Sequence, residues 1–298
     1  MWVVPALFSA LFLGLYDILR KISLKDNPVI PVLFLASATG ALLFSIPVIL
    51  SKAGLIGVEN LFNVPHISLK MHGLFFIKSV LVGSSWFFAY NAISMLPLTI
   101  VIPIRSTGPV WTLMGALFIY SERFTIIQWI GIITVLSFFY FFSLVGKKEG
   151  VVFTKNKWIL FIIIATLLGS ASSLYDKFLM ANFNRMAVQS WFSIYMVIVL
   201  LPFVLFVWYP KRKSGKLFRI SPYIFLIGIV LSVSDFLYFY ALSKPESLIA
   251  IVAVIRRSSV VISFVYGAVL FQEGNIRNKS IALAGILAGI ILLVINTI

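Results

Sequence analysis

Long apolar stretches, separated by short polar or proline-bearing connections, recur along the whole 298-residue chain. A hydrocarbon core about 30 Å thick needs about 20 helical residues. Stretches of that length fall at 2–21, 28–50, 73–96, 98–120, 124–145, 158–180, 187–209, 222–243, 247–271 and 279–298. The pattern predicts an all-α integral membrane protein with ten transmembrane helices. Pro47, Pro103, Gly108, Pro109 and Pro202 lie inside these stretches, where neighbouring helices can satisfy the backbone groups they free. The opening MWVVPALFSALFLGLYDILRK has neither a basic start nor an A-x-A site. It reads as a first span of the mature protein, not a cleaved signal.

The pattern also repeats. IRSTGPVWTLMGALFIYSE (104–122) aligns with IRRSSVVISFVYGAVLFQE (255–273), which sets Arg105 against Arg256 and Glu122 against Glu273 at an offset of 151. YNAIS (90–94) aligns with FYALS (239–243), and LYD (15–17) with LYD (174–176). Three matches in one order indicate a duplication of five helices, 1–146 and 158–298, joined by a basic loop at 147–157. Five is odd, so the second copy enters the membrane upside down. Two inverted five-helix repeats with a substrate site near the midplane are the architecture of secondary transporters.

Composition narrows the chemistry. Hydrophobic residues make up 61% of the chain and charged residues 11%, with a mean hydropathy of +1.08. No soluble fold uses so much apolar surface. The absence of cysteine excludes disulfides and thiolate metal sites. His66 and His72 share one connection and cannot form a metal cage alone, so no metal or other cofactor is expected. The formal charge of +15 sits mostly beside apolar spans, where topology signals belong, and does not indicate nucleic acid.

Each fourth helix of the repeats ends in ALFIYSE or AVLFQE, and the next carries QWIGII or LAGILAG. On these segments the whole chain resembles the drug/metabolite transporter superfamily, in particular its ten-helix EamA-like branch. The resemblance implies secondary active transport of a small organic metabolite across the cell (inner or plasma) membrane, with export as the default direction. RRSSVVIS (256–263) also resembles the ninth-helix basic pair of organophosphate exchangers in that superfamily. In those proteins the pair holds the substrate phosphate, so such an exchanger is the alternative reading. Fourteen basic residues on one set of connections, against five on the other, put both termini outside by the positive-inside rule. The resemblance implies both inside, and the charge asymmetry is the reading preferred here.

Charges at membrane depth cost about 2.5–3.5 kcal/mol on insertion scales and usually mark function or pairing. Arg105, Arg256 and Arg257 are the candidate substrate-binding cations, with Trp86, Tyr90, Asn91, Tyr16 and Tyr175 as polar and aromatic companions. Asp17, Asp176 and Asp235 are candidates for coupling or gating. Asp235 and Arg256 flank the short KPES connection at similar depth, so a structural ion pair is an equal reading. Asp17 has Arg20 and Lys21 one turn away, which explains it as an intrahelical pair. Glu122 and Glu273 lie at a helix end and are read as structural, and Lys78, one turn inside its span, is expected to snorkel. GILAG (285–289) allows close helix contact, within the chain or in a weak homodimer. An anionic or zwitterionic solute (an amino acid, organic acid or phosphorylated metabolite) is the expected cargo, with a proton or counter-substrate as coupling partner. A membrane-embedded enzyme or a channel are the rivals. No nucleophile or acid–base cluster favours an enzyme, and the duplication argues against a simple pore.

Overall fold

The computed structural model of the chain describes residues 2–95, 104–105, 107–145, 156–212, 217–259, 262 and 276–295. Among them lie ten α-helices and no strand. In chain order these are α1 (Val3–Leu24), α2 (Val29–Lys52), α3 (Leu69–Met95), α4 (Gly108–Ile119) and α5 (Ile126–Val145). There follow α6 (Lys157–Asn182), α7 (Arg185–Pro202), α8 (Pro222–Leu242), α9 (Ile249–Arg257) and α10 (Ile276–Ile295). Side chains set several starts. Asn156, Asn184 and Ser221 cap α6, α7 and α8 by accepting from Trp158, Ala187 and Tyr223 backbone N–H groups, which satisfies donors the helix leaves open. Pro202 withholds an N–H at the end of α7, and the chain continues as a wider π turn, Phe203–Trp208, and a 3₁₀ turn, Tyr209–Lys211.

Helices α1, α2, α3, α6, α8 and the α7 run to Lys211 are six that are long and apolar enough to cross a membrane. Their outer faces stay apolar: Phe8, Leu42, Ile46, Ile49, Leu160 and Phe225 are all exposed. Such a continuous apolar surface belongs in lipid.

The helices pair across the two halves. α1 packs on α8 and α3 on α6; α2 packs on α8 and α3 on α7; α1 meets α9 and α6 meets α4. α2 packs on α7, α4 on α9 and α5 on α10. Exchanging each helix with the one five places later returns the same list. The α5–α10 crossing consumes the small-residue motif of the last helix. A Cβ on Gly289 would fall 2.6 Å from Val135 and 3.0 Å from the Gly131 carbonyl, and one on Gly285 would collide with the Phe138 ring. The motif therefore faces a helix of the same chain.

α9 occupies the middle. Ile249, Ala250, Ile251, Val252, Val254 and Ile255 are wholly inaccessible, unlike a helix bathed in lipid. This burial explains how the bundle carries Arg256 and Arg257 below its surface: the residues leading to them are clamped by protein on all sides.

Candidate functional site

Glu122 fixes the start of α9. Ser121, with a left-handed φ of 52°, turns the chain after α4. The Glu122 carboxylate then accepts from the backbone N–H groups of Ile249 at 2.7 Å and Ala250 at 3.3 Å. An acidic group at a helix N-terminus satisfies open donors and complements the dipole. Burial pushes this carboxyl above its ordinary range, and the two donors oppose that shift. Its repeat counterpart, Glu273, lies outside the described residues.

Seven residues into α9, Arg256 hydrogen-bonds and ion-pairs with Asp235 of α8. The same guanidinium lies 4.0 Å from the centre of the Tyr238 ring. Tyr238 donates its hydroxyl to Asp176 Oδ2 of α6 at 3.1 Å. Asp176 Oδ1 in turn lies 2.6 Å from Lys78 Nζ of α3, which also donates to Ser172 at 2.7 Å. The remaining side of the ammonium faces the Phe192 and Phe239 rings, 5.1 and 6.0 Å away. Six side chains on four helices thus form one polar chain, buried at its Lys78–Asp176 end and about a fifth exposed at Arg256 and Asp235. A buried charge demands this kind of satisfaction because the low local dielectric makes an unpaired group costly.

This corrects the expectation for Lys78, which does not snorkel. Its helix begins at Leu69, four residues earlier than the hydropathy boundary, so Lys78 stands nine residues deep, about 13.5 Å at 1.5 Å per residue. That exceeds the reach of a lysine stem, and the residue is 4% exposed. Sequence reading missed it and missed Tyr238. The available signal was the combination of an intramembrane lysine and an intramembrane aspartate with no local partner of either sign.

Arg257 points elsewhere. It makes no ion pair among the described residues. Its guanidinium lies in the field of Arg105, Asp17 and Arg20. Arg105 sits half-buried in the helical turn before α4. Asp17 and Arg20, one turn apart on α1, pair at 2.9 Å with about 30% exposure. Tyr16, buried beside them, has Arg20 and Asp235 among its charged neighbours. Charged groups from α1, the turn before α4 and α9 thus lie within electrostatic reach of Arg257, with Asp17 the one acid among them.

The other candidates lie on α3 and α6. Trp86 packs against the main core. Asn91 turns its amide back to the Phe87 carbonyl at 2.8 Å. Tyr90 is on the same helix, with its side chain outside the described residues. Tyr175 donates to the Leu74 carbonyl at 3.2 Å and stacks on Phe178. Lys177, next to Asp176, reaches away from the chain of charges to Ser247 at 2.8 Å. Among the described residues no group of three or more histidine or acidic side chains could hold a metal ion.

Comparison with known proteins places this geometry. A solved crystal structure, described only as that of a protein, matches with a TM-score of 0.76 at 13% identity, over 99% of this chain and 98% of its own, and so shares the fold. No curated protein matches the chain significantly. The sequence model of the EamA-like transporter family matches residues 1–144 and 156–295. With both halves covered, this chain belongs to the EamA-like transporter family and is a multi-pass membrane protein of the drug/metabolite transporter type.

Proposed function

We propose that this protein is a secondary active transporter of the cell membrane that exports a small anionic or zwitterionic metabolite by alternating access. The observation that carries the reading is the packing of α9 against α1 and α4, which brings Arg257 into the field of Arg105 and of the Asp17–Arg20 pair, three guanidinium groups to one carboxylate. Like charges brought together away from water repel strongly, and each carries its own insertion cost. A carboxylate or phosphate between the guanidinium groups relieves both penalties and forms charge-assisted hydrogen bonds. Arg105 precedes α4 in the first half and Arg257 ends α9 in the second, and α4 and α9 pack together. An anion held there touches both halves, as a carrier that rocks one half against the other requires.

The halves, 1–146 and 158–298 with the 147–157 loop between, are read as inverted repeats of five spans each. Packing details support this. Ser85 on α3 donates to the Ala165 carbonyl of α6, and Ser234 on α8 donates to the Ser9 carbonyl of α1, both at 2.8 Å. Ser85 and Ser234 differ by 149, the offset that aligns YNAIS with FYALS. The same offset relates Gly83, which faces Val199 of α7, to Ser232, which faces Gly40 of α2.

Counterflow in proteoliposomes tests the reading. The wild type should show saturable uptake of a labelled solute when preloaded with the same solute. Arg105→Gln and Arg257→Gln should each lower uptake at least about tenfold while eluting as folded protein. Normal counterflow in both variants would remove the anion site. Chemical turnover of the solute would point to an enzyme, and ohmic current to a channel.

A further inference from the structure

A second basic cavity, sharing no lining residue with the site above, lies at the bundle face where α2 ends and α3 begins. Its volume is about 320 Å³. Lys52, His66, His72 and Trp191 supply its polar and aromatic lining, over a floor that includes Val48 and Ile67. The lining contains three basic side chains and no carboxylate. Lys52 and His66 both lie within electrostatic reach of His72.

The cavity is built, not left over from loose chain. The connection at 53–68 folds back onto the bundle: Ser51 accepts from the Val64 N–H at 3.0 Å, and Val64 and Ile67 are buried. Phe62 stacks on Phe236 of α8 with ring centroids 5.8 Å apart. His72 is oriented twice over. Its Nδ1 lies 2.6 Å from the Tyr195 hydroxyl, and its ring stands edge-on to Trp191 at 4.4 Å. With the tyrosine donating to Nδ1, Nε2 carries the proton and is the ring's donor. The Lys52 ammonium lies 5.7 Å from the Trp191 ring centre.

The adjacent surface is apolar. Leu42, Ile46 and Ile49 project from α2 at 70%, 53% and 62% exposure. Their spacing of four and three residues marks one face of a helix, and Lys52 continues it one turn further. A basic cap thus ends an apolar ridge, with a tryptophan at the junction where interfacial aromatics sit.

We propose that this cavity binds the phosphate of an anionic headgroup, with Lys52, His66 and His72 each donating to one oxygen beside Trp191. Three separate donors suit the three peripheral oxygens of a phosphate better than the two of a carboxylate. The phosphate comes either from a membrane phospholipid, whose acyl chain follows the Leu42–Ile49 ridge, or from a soluble phosphate monoester. This site stands independently of the transport reading, since none of its residues lies in the central charge chain.

Two arms separate the sources. Purified protein in neutral detergent is mixed with phosphatidylglycerol or phosphatidylcholine and retained lipid is counted by native mass spectrometry; glycerol 3-phosphate is titrated calorimetrically in parallel. The lipid source predicts about tenfold preference for phosphatidylglycerol in the wild type, abolished in Lys52→Gln/His66→Gln and kept in Lys52→Arg. The soluble source predicts glycerol 3-phosphate binding that the double variant loses, with no lipid preference. Both substituted side chains are exposed, so the melting temperature should hold and separate lost binding from lost fold. Equal lipid retention in wild type and variant, together with no heat from glycerol 3-phosphate, overturns the proposal.

Discussion

Replacing Lys78 with methionine keeps the length of the stem and removes the charge, leaving Asp176 as a buried carboxylate. The pair is 2.6 Å apart with both side chains 5% exposed, so solvent screening discounts it little. Breaking a buried pair from one side costs about 3–5 kcal/mol. An isolated carboxyl can escape by taking a proton from water, which limits that cost. From an ordinary aspartate value of about 3.9 and 1.36 kcal/mol per unit, protonation at pH 7 costs about 4 kcal/mol. At pH 5 the same step costs about 1.5 kcal/mol. The Lys78→Met penalty should therefore approach about 4 kcal/mol at pH 7 and shrink to about 1.5 kcal/mol at pH 5. Arg256 also acts on Asp176 through space, but it is held by Asp235 and Tyr238 and cannot simply take the lysine's place. The double variant Lys78→Met/Asp176→Leu removes both charges and should return to within about 1 kcal/mol of the wild type, as apolar replacements of buried pairs do. The assay is denaturant unfolding in detergent micelles at both pH values, read as a double-mutant cycle. A single-variant penalty below about 1 kcal/mol, a penalty independent of pH, or strict additivity would each show that the ion pair does not hold α3 to α6.

Glu122→Ala should lower unfolding stability by about 1–2 kcal/mol through loss of the α9 cap, and Glu122→Gln, which keeps one acceptor, by less; equal effects in the same denaturant assay would contradict the capping role. Gly289→Leu should destabilise by about 3 kcal/mol or more, because its Cβ already meets Val135 and the Gly131 carbonyl. Gly73→Ala, which meets nothing within 4 Å on a helix, should be neutral or stabilising by up to about 1 kcal/mol, and a melting-temperature comparison checks both. Arg256→Gln should unfold more readily than Arg256→Gln/Asp235→Asn, whereas Arg257→Gln should leave stability unchanged and lower counterflow; the reverse assignment would exchange the structural and binding roles of the two arginines.

Six of the predicted spans were legible because length and apolarity decide which segments can cross a membrane, and proline inside them is tolerated. The Asp235–Arg256 pair was legible too: the two residues flank a short connection, so an antiparallel turn sets them at equal depth. Lys78–Asp176 was hidden for two reasons. The partners lie on helices distant in sequence, and α3 begins four residues before the hydropathy change, in the polar LKMH segment. The same distance hides the bond from Glu122 to the start of α9, since a helix-end acid looks alike whether it faces water or another helix. The cavity beside Lys52 depends on a connection folding back through Val64 and Ile67, two apolar residues among polar ones that carry no periodic signal.

The proposed repeats keep their packing but not their charges. Ser85 and Ser234 make equivalent bonds across α3–α6 and α1–α8. At the offset of 149, however, Lys78 corresponds to Ile227, which is fully packed in an apolar cluster with Tyr16 and Val32. Asp17, the counterpart of Asp176, has no lysine across from it and pairs within its own helix with Arg20. Separating α3 from α6 must strip a charged pair of its partners, whereas separating α1 from α8 at the equivalent place parts apolar side chains and two serines, Ser9 and Ser234. An exposed intrahelical pair contributes only about 0.3–0.5 kcal/mol and survives such a movement intact. The energetic asymmetry follows from one substitution between copies, a lysine in one and an isoleucine in the other. The α3–α6 seam thus carries a buried ion pair where the α1–α8 seam carries apolar side chains and two hydrogen-bonded serines.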